Sequence, residues 1–171
     1  LHAERTAVQK PIPPVRRLGR MCFLNWEGRE FDEIVLPETL ESVGVCFYNA
    51  IVHKLALPDS VQQLDPWCFS GHSSTEFVLS AGLKEIPPYC FAYCDIPQLT
   101  IPEGVEWIGE YAFGFSFLEM DDRYPVILPE SVTFVGYNAF MYGYEVIPTG
   151  DTHFETKEEF LLRCPDGELF P

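Results

Sequence analysis

Four side chains in the middle of the chain have the types and spacing of a zinc site. Cys68 and His72 are four residues apart, and Cys90 and Cys94 repeat that spacing 22 residues later. Three thiolates and an imidazole form an acceptable tetrahedral donor set. The same residues also have a structural reading, in which Cys68 and Cys90 point inward as small core plugs and His72 is an exposed turn residue. Inward and turn positions do not converge on one point. The structural reading is preferred, and no metal or cofactor is expected. A disulfide, either Cys90–Cys94 or across repeats, is a further alternative, since the six cysteines allow fifteen full pairings.

Nucleophilic catalysis has less support. A Cys–His dyad needs an accessible thiol of lowered pKa oriented by its partner. His53 and His72 each lie near a cysteine, but every candidate cysteine occupies a plug position. Gly109, Gly114 and Gly136 sit at repeat turns and form no phosphate-binding loop. Carboxylates are plentiful, yet none pairs across an expected cleft. The chain is expected not to be an enzyme.

The plug assignment comes from a repeat that organises most of the chain. Leu99-Thr100-Ile101-Pro102 leads through Val105 and Ile108 to Ala112-Phe113. Leu55-Ala56-Leu57-Pro58 leads likewise through Val61 and Leu64 to Cys68-Phe69, and Ile34-Val35-Leu36-Pro37 leads to Cys46-Phe47. Phe77-Val78-Leu79-Ser80 runs to Cys90-Phe91, and Val126-Ile127-Leu128-Pro129 runs to Ala139-Phe140. The closing residues Phe47, Phe69, Phe91 and Phe113 are 22 apart, and Phe140 follows after 27. A fixed period in the twenties is the signature of a solenoid. Cysteine and alanine alternate before the closing phenylalanine, so that position wants a small apolar group, which buried free cysteine supplies. Cys22, Cys46, Cys68 and Cys90 are therefore expected as core thiols.

Each apolar-x-apolar triplet reads as a short strand with alternate side chains on opposite faces. The following proline ends it. The next apolar pair turns the chain back over the core, and the phenylalanine plugs the far side. A single repeat cannot bury its own stripe, but stacking buries each on the next. The unit is too short for two helices, so one strand per turn in a parallel ladder is expected.

Ile101-Pro102-Glu103-Gly104-Val105-Glu106-Trp107-Ile108-Gly109-Glu110-Tyr111-Ala112-Phe113 resembles the repeat of the BspA-like leucine-rich repeat family, I-P-x-x-V-x-x-I-G-x-x-A-F. The resemblance implies a right-handed, leucine-rich-repeat-like α/β solenoid of five to six repeats of about 22 residues, mostly strand and turn. It also implies that Cys94, three residues after Phe91, is a buried cysteine of the repeat. Asp65 and Pro87 replace the Gly109 position in the middle copies, and Ser80 replaces a proline, so local irregularity is expected there. The family implies a secreted or cell-surface protein with an adhesion-type role, contacting a host or neighbouring-cell protein. A structural spacer within a larger surface protein is the alternative.

Composition argues for a folded chain. Hydrophobic residues make up 47% and aromatics 15%, which argues against disorder. The net charge of −15 opposes nucleic acid and anionic membranes alike. No apolar run approaches the ~18 residues of a membrane span. Residues 1–11 are expected as a leader or upstream remnant, 12–147 as the solenoid with a degenerate first copy, and 148–171 as a capping segment. Within that cap, Leu162-Arg163-Cys164-Pro165 is expected as a final strand, with a helix capped at Thr156 as the alternative.

The extra residues between Phe113 and Phe140 form an insertion, and insertions in solenoids often carry binding. Phe115, Phe117 and Tyr124 are candidate aromatic anchors there, with Asp121, Asp122 and Arg123 as polar contacts. Tyr142 and Tyr144 extend the candidate patch. The competing reading packs Phe115 and Phe117 against the core.

Overall fold

The computed structural model describes residues 12–23, 30–116 and 124–164. In chain order the strands are β1 (Arg17–Leu18), β2 (Glu30–Ile34), β3 (Ser42–Val43), β4 (Ile51–Ala56), β5 (Gln63–Leu64) and β6 (Glu76–Val78). They continue as β7 (Glu85–Ile86), β8 (Trp107–Ile108), β9 (Tyr124–Leu128), β10 (Phe134–Val135), β11 (Tyr144–Pro148) and β12 (His153–Phe154), followed by helix α1 (Lys157–Arg163). The turns stack as a parallel β-solenoid of about six turns.

Two ladders run along the stack. The first carries the apolar-x-apolar triplets, in the order β2-β4-β6 and then β9–β11. Its rungs keep register, with Ile34 opposite Leu55, Leu55 opposite Phe77 and Val126 opposite Val146. The second ladder, β1-β3-β5 and β7-β8-β10-β12, is built from two-residue strands that, β12 apart, each carry one inward apolar residue. It aligns Leu18, Val43 and Leu64, then Ile86, Ile108 and Val135. The repeat pattern does not reveal this second ladder, because a two-residue strand has no alternation to read.

The prolines do more than end strands. Each opens a tight turn in which its carbonyl accepts the N–H three residues on: Leu40 on Pro37 at 3.0 Å, Val61 on Pro58 at 2.9 Å and Val132 on Pro129 at 3.0 Å. At the exceptional copy the Ser80 hydroxyl donates to the Val61 carbonyl at 2.6 Å and accepts the Gly82 N–H at 3.0 Å. The substitution therefore keeps the turn. At Gly109 itself a Cβ would sit 2.6 Å from the Pro88 nitrogen, so this turn requires glycine, although other copies accommodate Asp65 and Pro87 at the same position.

The closing phenylalanines form one continuous stack through the core. Phe23, Phe47, Phe69, Phe91, Phe113 and Phe140 succeed one another with ring centroids 4.9–5.1 Å apart and planes within 11° of parallel. Phe47, Phe69, Phe91 and Phe113 are fully buried. Each contributes on the order of 2–3 kcal/mol by area. Residues two positions before and after these rings lie in the left-handed region, among them Trp67 (φ 65°), Tyr89 (φ 54°), Tyr93 (φ 59°), Tyr111 (φ 52°) and Phe115 (φ 59°). Bulky residues rarely adopt that conformation, so the stacked turns must hold them there.

Four local expectations are corrected. Leu99-Thr100-Ile101 is not a strand; Pro97 and Pro102 bracket it and remove ladder donors. Cys22 is exposed, because it lies in the degenerate terminal turn. His72 is fully buried instead of lying on an exposed turn, since the chain three residues after each phenylalanine points into the core, where the other copies place Ala50, Cys94 and Ser116. Leu162-Arg163-Cys164 does not form the final strand. Thr156 and Glu159 make a reciprocal capping box that starts α1, and Leu162 is 84% exposed.

The helix is fastened at two points. Phe160 stacks on Tyr137 at 5.1 Å, and Arg163 forks onto Glu110 (3.1 and 3.3 Å) and Glu155 (3.1 Å at the closest). Glu110 is 1% exposed, so the guanidinium supplies the charge that a buried carboxylate needs.

Candidate functional site

The cysteine–histidine group is brought close but does not converge. Cys68 and Cys90 occupy successive turns with their sulfurs 3.3 Å apart, both fully buried. Burial raises both thiols, that of Cys68 well above the ordinary range. Cys94 lies apart from them, its thiol donating to the Phe69 carbonyl at 3.0 Å. His72 sits among the edges and faces of Phe47, Phe69 and Phe77, 5.6–6.3 Å from their centroids. Neither of its ring nitrogens makes a hydrogen bond. Burial pushes its pKa down to about 4. Among the described residues no group of three or more His, Cys, Asp or Glu side chains could hold a metal ion.

The aromatic turn divides in two. Phe115 is half-buried and stacks on Tyr93 at 5.0 Å and on Tyr111 at 5.5 Å. Tyr144 is 4% exposed and donates its hydroxyl to the Ile96 carbonyl at 3.0 Å, which makes it a core residue and removes it from the surface patch. Tyr124 and Tyr142 remain on the surface, 38% and 49% exposed. Phe117, Asp121, Asp122 and Arg123 lie outside the described residues.

The larger exposed feature is the outer face of the first ladder. The middle residue of each triplet points to solvent, leaving Val35 67%, Val78 58%, Ile127 61% and Ile147 43% exposed. Around Val35 and Val78 the face hollows into a depression of about 360 Å³, which Glu33, Glu38 and Glu76 also line. These residues were missed as candidates, although the alternation within each triplet already put its middle position outside.

Among the described residues no helix is long and apolar enough to cross a membrane. No match was found among curated proteins or among solved structures. A family model described as a BspA type leucine-rich repeat region matches residues 9–119 in six copies.

Proposed function

We propose that this chain, which belongs to the BspA type leucine-rich repeat family, is a non-catalytic module that binds another protein through the outer face of its first ladder. Members of the family are generally non-catalytic repeat modules, typical of bacterial surface or secreted proteins. An adhesion-type role at the cell surface, toward a host or neighbouring-cell protein, is the reading that follows. The observation that carries it is the row of large apolar side chains at Val35, Val78, Ile127 and Ile147, aligned and exposed without any need of the fold. Tyr124 and Tyr142 add exposed aromatic surface of the kind enriched at binding hot spots.

The spacer reading draws support from the inward packing of Phe115 and Tyr144. One comparison separates the two. The protein and its Val78→Asp/Ile127→Asp variant are immobilised and exposed to the same preparation of cell-surface proteins. A binding module retains a partner that the variant loses. Equal retention, or none by either, supports the spacer.

A further inference from the structure

The exposed ladder face has a period and a charge pattern that together describe what fits it. We propose that it receives a cationic, polyproline-II-like protein segment carrying an apolar residue at every third position. This rests on the binding reading given above and names the partner's chemistry.

From Val35 to Ile127 the floor alternates in size; beyond it Ile147 adjoins Ile127 and ends the alternation. Thr100 takes its place as the exposed residue between buried Leu99 and Ile101, outside any strand. Large residues stand at Val35, Val78 and Ile127, while Ala56 and Thr100 occupy the turns between them. The stacked phenylalanines set the rise per turn at 5.0–5.1 Å, so the two small positions, two turns apart, are separated by about 10 Å. Three residues of polyproline II advance ~9.3 Å and return to the same side of the helix. A segment running along the solenoid axis therefore seats one side chain over Ala56 and the next over Thr100, between the larger residues. A fully extended strand repeats its side chains at ~6.7 Å and falls out of step after one contact.

The walls of the face are acidic on both sides. Two residues before the floor position, three of the six turns carry an exposed acid, Glu33, Glu76 and Glu145, and the others carry Lys54, Gln98 and Pro125. Three residues after it, beyond the proline, stand Glu38, Asp59, Glu103 and Glu130, also exposed. Lys54 is the cation among them, and it pairs with Glu76 at 3.0 Å. A threefold helix whose first residue faces the floor directs its other two toward the two walls. A basic residue at one of these positions meets carboxylates of the wall it faces, and the charge also speeds encounter. The same walls repel a second copy of this chain, whose net charge is −15.

The test uses a synthetic peptide of four Val-Lys-Pro triplets, a Val-Glu-Pro counterpart and a peptide of the first composition in scrambled order. Binding to the full chain is followed by calorimetry or fluorescence anisotropy. The first peptide should bind, weaken about fivefold or more between 50 and 300 mM salt, and lose about tenfold in affinity to the Ala56→Trp/Thr100→Trp variant, which fills both small positions. That variant is checked for an unchanged thermal midpoint; should it misfold, the Glu33→Gln/Glu38→Gln variant serves, with the same loss expected. Equal binding of the acidic or scrambled peptide, or no binding of the first, overturns the proposal. If the peptide fails while Val78→Asp/Ile127→Asp still abolishes partner capture, the partner class is wrong and the binding reading stands. If capture is unaffected as well, both fall.

Discussion

The sulfur of Cys68 lies 3.3 Å from that of Cys90, one turn along the stack, with both side chains fully buried. Desolvation raises both thiols, so neither is a nucleophile at neutral pH. In the folded protein a thiol reagent should label Cys22 quickly and Cys164 more slowly, and reach Cys46, Cys68, Cys90 and Cys94 only on unfolding. Labelling of all six at one rate would show that the plugs are open to solvent.

His72 links stability to pH. Its folded pKa of about 4 lies below the ordinary 6.5, so the unfolded chain binds its proton first as pH falls. The stability it protects is complete above pH 6.5 and is lost between 6.5 and 4, by about 3 kcal/mol at most. His72→Ser, which copies the residue at Ser116, should flatten the denaturation midpoint across that window. An unchanged slope in the variant would assign the pH dependence to other groups.

The phenylalanine stack should respond according to position. Phe91→Ala removes a fully buried ring between two stacked neighbours and should cost about 3–5 kcal/mol. Phe140→Ala, at a half-buried position further along, should cost visibly less in the same urea titration. Equal losses would mean that the rings do not share the load as the stack implies.

The cap can be dissected by a double-mutant cycle. Arg163→Ala strands the Glu110 carboxylate at 1% exposure and should cost about 1–3 kcal/mol, below the full cost of breaking a buried pair because the arginine is half-exposed. Adding Glu110→Gln should recover part of that loss. Thr156→Ala, which opens the capping box, should cost about 1 kcal/mol. Additive effects of the Arg163 and Glu110 changes would rule out their coupling.

The solenoid, its first ladder and its ring stack were legible because each depends on residues that recur at a fixed interval. Phe47 to Phe113 needs no three-dimensional information. The misreadings have the opposite character. Leu162-Arg163-Cys164-Pro165 imitates the strand triplet, and only the exchange between Thr156 and Glu159 decides for helix. His72 looks like a turn residue by type, whereas its place three residues after Phe69 puts it in the core with Ala50, Cys94 and Ser116. Tyr144 reaches Ile96, 48 residues earlier, and no local pattern carries such a contact. The exposed floor at Val35, Val78 and Ile127 follows from the triplets themselves, whose middle residues alternate outward, and owes nothing to the aromatic insertion.

The ring stack also bears on how the molecule yields to force. Each phenylalanine is gripped by the ring before and the ring after it, so a pull on the two ends passes from turn to turn through equivalent contacts. Such a column unravels from an end one loop at a time instead of shearing at once. With 22 residues per turn, each step should pay out about 75 Å of chain. Between Phe47 and Phe113, where the spacing is constant, that makes the fold an extensible link that lengthens in even increments under load.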